Sequence, residues 1–260
     1  VNARGYIPRW LAVPAAAGLL FLLVPLTALV ARVQWSTLWS DVTSEAARSA
    51  LVLSLATGAA ATLVCAGVGI PLALLIARSS PRVAAVLRAL VTVPLVLPPM
   101  VGGVALLYLF GRNGWFGGLG LPFTTVAVVL AQVFVALPFL VLAVEGALRS
   151  TGVEIERAAA SLGASRGTIL RRVTLPLAAP GIVAGVVLCF ARAIGEFGAT
   201  ALFAGNRPGV TQTMPLAIYT AFNGGGVGQG TAVALALMLL VAAIAVLLLV
   251  RGWRPSVGAA

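Results

Sequence analysis

Arg192 and Glu196 stand four residues apart inside the apolar run Phe190-Ala191-Arg192-Ala193-Ile194-Gly195-Glu196. On a helix that spacing puts both on one face, within pairing reach. An ionisable group in a segment of hydrocarbon length costs about 2.5–3.5 kcal/mol on insertion scales, so such groups face the protein interior or water. Two kinds of chemistry suit the pair. Beside a translocation path, Arg192 offers charge to an anion. As a strut between helices, the two groups neutralise each other, and a carboxylate so close weakens the pull of Arg192 on an anion. Glu145, near the inner end of another apolar run, is expected to snorkel or to pair with a loop arginine.

A second constellation lies between apolar runs, over 149–180. Thr151-Gly152-Val153-Glu154 has the spacing of a capping box, in which Thr151 accepts from an orphan amide and Glu154 reaches back. Ile155, Ala158, Ala159 and Leu162 then recur at i, i+3, i+4 and i+7, one face of a short helix. Gly163 stands where a left-handed residue ends such a helix. Glu156, Arg157 and Ser161 occupy the other face. The apolar stripe is too small to nucleate a core. It suits insertion into a partner's groove, or rest on lipid headgroups.

A third run, Val93-Pro94-Leu95-Val96-Leu97-Pro98-Pro99-Met100-Val101-Gly102-Gly103, sets three prolines and two glycines within one apolar stretch. Helical hydrogen bonding must fail around Pro98 and Pro99. In a membrane the freed carbonyls need neighbouring helices or a water-lined cavity. The break then serves a path or a packing kink. Gly185, Gly195 and Gly198 allow close backbone approach.

Other chemistries are excluded by what is missing. The chain has 17 basic and 6 acidic residues and no His, and every base is Arg. Without Lys there is no Walker-type phosphate loop and no Schiff base. Without His there is no His-based triad, proton relay or imidazole metal site. A membrane-embedded hydrolase would lack a base for its Ser or Thr. Cys65 and Cys189 lie in apolar runs without metal-type spacing and are read as small packing residues. The expectation is a non-catalytic chain that binds no metal and no cofactor.

The elements that position these residues follow from composition. The 260 residues are 61% hydrophobic and 9% charged, with mean hydropathy +1.10. A water-facing domain carries about 25% charged residues, so an all-α integral membrane protein is expected. Six apolar segments approach the roughly 20 residues that a spanning helix needs: 11–31, 51–77, 89–110, 125–148, 181–204 and 231–250. The first outruns a signal-peptide core and is read as an uncleaved helix. With the N-terminus inside, 12 arginines fall on the inner side and 4 outside. That bias predicts cytoplasmic N- and C-termini. It also removes a nucleic-acid reading of the net charge of +11, because the arginines flank spans and form no single basic face. The stretch 223–230 is expected as an external connection. No internal repeat is evident, which weakens an inverted-repeat secondary transporter.

Glu156-Arg157-Ala158-Ala159-Ala160-Ser161-Leu162-Gly163 followed by Val173-Thr174-Leu175-Pro176 resembles the EAA loop of type I ABC importer permeases. That motif reads E-A-A, three residues, G, nine residues, I-x-L-P. Ala158, Ala159, Gly163, Leu175 and Pro176 match it. Arg157 stands in the usual Glu place, Glu156 comes one residue early, and Val173 replaces Ile. The 93–103 run is similar to the L-P-L-V-L-P-P-V-V-x-G run of molybdate permeases. Residues 190–200 resemble a stretch shared by the molybdate and sulfate branches, and 204–206 with 211–219 are closer to the molybdate branch. The likeness covers about 50–250.

The resemblance implies a six-helix, multi-pass permease subunit of an ATP-driven importer in the cytoplasmic membrane. Its cargo would be molybdate, with tungstate inseparable by size and charge. Sulfate or thiosulfate, or a stand-alone secondary transporter, are the alternatives. Implied partners are a second permease copy, two ABC ATPase subunits, an extracytoplasmic binding protein and membrane lipid. Glu156, Arg157, Ala158, Ala159, Leu162 and Gly163 would couple to the ATPase. Residues 1–49 would form a first helix and external loop, 50–251 the permease domain with its coupling loop at 149–180, and 252–260 a short tail.

Overall fold

The computed structural model describes residues 9–225 and 228–252. Expectations for Arg4, Arg254, residues 226–227 of the 223–230 connection and residues 253–260 of the tail lie outside them. Every long element among the described residues is a helix.

Helix α1, Ala12–Ala31, runs for 20 residues and has no buried residue. A short α2, Leu38–Thr43, leads to α3, Glu45–Arg78. Ser44 caps α3, its hydroxyl oxygen accepting from Ala47 N at 3.3 Å. Glu45 in the first turn and Arg78 in the last oppose the helix dipole. With 34 residues, α3 is about 51 Å long, well beyond the roughly 30 Å hydrocarbon core. Helix α6, Thr125–Ser150, begins at Thr124, whose Oγ1 accepts from Ala127 N at 3.2 Å.

Helix α6 is the hub, half of its most apolar stretch being buried against other helices. It packs between α3 and α9, Leu175–Ile194. In lipid, apolar side chains gain little from leaving their solvent, so helices associate by close packing of small residues. The core shows this: Ala61, Cys65, Ala136, Cys189 and Ala193 sit fully buried among Leu140, Val141 and Val144. A Cβ on Gly69 would lie 2.9 Å from both Leu137 and Leu140, and one on Gly185 would lie 3.2 Å from Ala143. Both cysteines are free and buried.

Two expected spans are not single straight helices. Residues 89–110 belong to α4, Pro81–Val96, and α5, Pro99–Phe110, bent by 107°. The 181–204 segment breaks after Ile194 and resumes as α10, Gly198–Phe203. Among the described residues, four helices are long and apolar enough to cross a membrane, and five if the bent pair counts as one. Helix α11, Met214–Phe222, precedes α12, Gln229–Gly252, which is apolar over Gln229–Ala245.

Candidate functional site

The first break follows from proline chemistry. Pro98 bars Leu97 from helical backbone, and Pro99 does the same to Pro98. Both are extended, with ψ of 136° and 133°. Pro99 then opens α5 at a position where its missing N–H is harmless. The second break is at Gly195–Phe197, and the fold seats it on the first. A Cβ on Gly198 would lie 3.1 Å from Pro99 Cβ and from Met100 N. A Cβ on Gly103 would lie 2.9 Å from the Ala199 Cα. Pro98 and Pro99, nearly a hundred residues from Arg192 and Glu196, thus adjoin their neighbourhood in space.

Glu196 holds the second break together. Its Oε2 meets Arg192 Nη2 at 2.7 Å, and its Oε1 accepts from Ala199 N at 2.8 Å. The first contact neutralises the buried carboxylate. The second satisfies an orphan amide of α10. Glu196 is 1% exposed, whereas a quarter of the Arg192 side chain reaches the surface. The guanidinium lies 6.0 Å from the Phe139 ring centre, at the outer limit of a cation–π contact.

The loop over 149–180 stands at the end of the bundle where α3 and α6 finish. Helix α7, Glu154–Ser161, is followed by α8, Arg166–Ile169, and a wider π-type turn, Leu170–Thr174, that feeds α9. The expected capping box is absent. Thr151 still belongs to the end of α6, and its hydroxyl donates to Leu148 O at 3.0 Å. Val153 precedes α7 without a side-chain cap, and Glu154 and Glu156 in the first turn favour its dipole instead. The C-terminal expectation holds. Gly163 has φ +84°, Gly163 N donates to Ala160 O at 3.0 Å, and Ala164 N donates to Ala159 O at 3.1 Å. This is a Schellman ending.

Glu156 points inward from this loop. It forms an ion pair with Arg78 at the end of α3, and it accepts from Thr174 Oγ1 at 2.8 Å. Arg157, Ala158, Leu162 and Gly163 are exposed, and Ala159 is half-buried. Leu162 is 89% exposed. Glu145 pairs with both Arg88 of α4, at 2.5 Å, and Arg149 of its own helix, at 2.8 Å. The arginine expected opposite Glu145 is therefore two arginines.

Sequence reasoning missed Arg78, Arg88 and Thr174 as partners, because they are 18 to 78 residues from the carboxylates they meet. It also passed over Gln132, a fully buried amide in α6 with both polar atoms unpaired among the described residues. The signal was there: a lone Gln within an apolar run.

With this geometry in place, likeness to known proteins is informative. Residues 69–258 match the family described as binding-protein-dependent transport system inner membrane component. The molybdenum transport system permease protein ModB of Mycobacterium tuberculosis is 52% identical over 219 residues, covering 82% of this chain and 83% of that protein. The sulfate transport system permease protein CysT of Salmonella typhimurium is 34% identical over 209 residues, 77% of this chain and 76% of that one. A bacterial alginate ABC transporter, solved with an alginate pentasaccharide-bound periplasmic protein, shares the fold. The match has a TM-score of 0.69 over 92% of this chain and 91% of that one, at 18% identity.

Proposed function

The chain belongs to the family of binding-protein-dependent transport system inner membrane components, and on that premise we propose that it is the membrane-spanning subunit of an ATP-driven molybdate importer. It is a multi-pass membrane protein and a non-catalytic transport subunit. The observation that carries the cargo is the 52% identity to a molybdenum permease over four-fifths of the chain, against 34% for a sulfate permease.

The arrangement supports a definite topology. Arg78, Arg88, Arg149 and Arg157 gather at one end of the bundle, and that end is cytoplasmic by the positive-inside rule. Six crossings follow, with both termini inside: α1, α3, the bent α4–α5, α6, α9–α10 and α12. Residues 50–251 make up the permease domain and 149–180 its coupling loop. A second copy would cover surface that one chain leaves bare, α1 above all. Two ATPase subunits would dock on the coupling loops and an extracytoplasmic binding protein on the far side.

The ion pairs suggest how force travels. Closure of the ATPases draws the coupling loops together. Glu156 passes the movement to α3 through Arg78. Glu145 passes it to α4 through Arg88. Helix α4 leads to the Pro98–Pro99 break, which rests on the Glu196 break, so a shift at the cytoplasmic end reaches the middle of the bundle. The anion released by the binding protein then enters between the two copies. Tungstate, of the same charge and nearly the same size, is expected to follow molybdate.

Uptake by the permease reconstituted with its cognate ATPase and binding protein tests the reading. Labelled molybdate should enter only with ATP, tungstate should compete, and a tenfold excess of sulfate should leave most uptake intact. Full inhibition by equimolar sulfate would move the assignment to the sulfate branch, and uptake without the ATPase would make the chain a secondary transporter.

A further inference from the structure

Two side chains beside the second break are buried without a hydrogen-bond partner among the described residues. Gln132 of α6 leaves both Nε2 and Oε1 unpaired, Thr200 of α10 leaves its Oγ1 unpaired, and both residues are fully buried. They belong to one interface. Val128, Ala131 and Val135 of α6 pack in a single cluster with Ala199 and Phe203 of α10. Gln132 lies one helical turn from Val128 and from Val135, and Thr200 one turn from Phe203. Helical threonines elsewhere in the chain donate to the carbonyl four residues back, Thr57 to Leu53 at 2.8 Å and Thr62 to Gly58 at 2.7 Å. For Thr200 that carbonyl belongs to Glu196, which lies in the break, before α10 starts at Gly198. The break therefore removes the hydroxyl's ordinary acceptor. Thr213 Oγ1 is also unpaired, but it precedes Met214, which packs in a different cluster against α3 and α12.

We propose that one internal water, shared by the Gln132 amide and the Thr200 hydroxyl, links α6 to α10 and closes the second break. Polar groups inside a membrane protein need partners, and ordered water supplies them where a helix is interrupted. The ligand must both donate and accept, because the amide brings two N–H donors and an acceptor oxygen, and the hydroxyl one donor and its lone pairs. It must also be neutral. Arg192 and Glu196, the charges of this break, already pair with each other, and the second oxygen of Glu196 is taken by Ala199 N. An oxyanion or a metal cation would meet no free counter-charge, and a buried unpaired charge costs far more than a hydrogen-bonded dipole. Water is the smallest ligand with the required chemistry, and Ala131 and Ala199 keep the flanking positions small. Globular proteins hold about one buried water per 27 residues, each bound by two to four polar groups. Here the water gives α10 a tie to α6 that the interrupted helix cannot supply, so Glu196 and the water hold the break from two sides.

Two measurements on the full-length permease test this. A density map that resolves ordered water should carry a peak within about 2.7–3.2 Å of both the Gln132 amide and Thr200 Oγ1. Thermal unfolding tests the sharing. Gln132→Leu and Thr200→Val should each lower the midpoint by about 2–4 °C, because either change strands the other group. The double variant should regain most of that loss, since nothing polar is left there to satisfy, and the two changes should be strongly non-additive. A midpoint raised by Gln132→Leu alone would show an amide with no partner at all, and additive losses would show two groups that share nothing. Either result overturns the proposal. So does a map with waters elsewhere in the bundle and none between these two residues, and that map decides by itself if the single variants do not fold.

Discussion

Glu196 does two jobs with its two oxygens, one facing Arg192 and the other the amide of Ala199. Both readings of the pair, strut and anion path, agree with a formed ion pair, so the discrimination lies in variants that separate charge from capping. Glu196→Gln keeps an oxygen for Ala199 N but leaves Arg192 without its counter-charge. Removing one member of a buried pair costs about 3–5 kcal/mol, and the yield of detergent-stable protein should drop sharply. Adding Arg192→Met removes the stranded cation while the amide still caps α10. Under the strut reading this double variant recovers both yield and most of the initial uptake rate. Recovery of yield without uptake would instead make Arg192 a residue of the anion path.

At the scale of elements, the ending of α7 is the most exposed to a single change. Gly163 is left-handed, and among the described residues nothing lies within 4 Å of where its Cβ would be. The cost of Gly163→Val is thus backbone strain alone, about 1–2 kcal/mol for a left-handed residue with a Cβ, and no clash adds to it. The variant should insert into the membrane normally but lose co-purification of the ATPase subunit and substrate-stimulated ATP turnover. Wild-type levels of both would show that the turn after α7 plays no part in docking. Thr151→Ala is the contrasting control. Its hydroxyl closes the end of α6 and caps nothing in α7, so ATPase coupling should be unchanged.

The molecule as a whole separates its charge by ends. Arg78, Arg88, Arg149, Glu145, Glu156 and Thr174 are knit together at one end. Asp41, which accepts from Thr37 and Thr231, belongs to the other, with Gln34 and Gly230 close by. The proposed topology therefore has a direct check in a background with Cys65 and Cys189 changed to Ala. Trp115→Cys, at a side chain 90% exposed, should react with a membrane-impermeant maleimide added to intact cells. Arg82→Cys, exposed just after α3, should react only after permeabilisation. The reverse pattern would invert the protein in the membrane and place the 149–180 loop outside.

Composition and local spacing were enough to determine an all-helical membrane chain, a short helix ending at Gly163, the Arg192–Glu196 pair and a disruption at Pro98–Pro99. Each of these depends on residues within a few positions of one another, where chain geometry leaves little choice. The capping box at Thr151 failed although it is local, because α6 extends to that residue and engages its hydroxyl first. Tertiary structure alone decided the rest. The 107° direction of the proline break accompanies the seating of Gly198 and Gly103 against the facing helices. Arg88 reaches Glu145 from 57 residues away and Arg78 reaches Glu156 from 78. Hydropathy adds up along the chain and reports what must be buried, but it holds no record of which arginine the packing of α3, α4 and α6 brings to a given carboxylate.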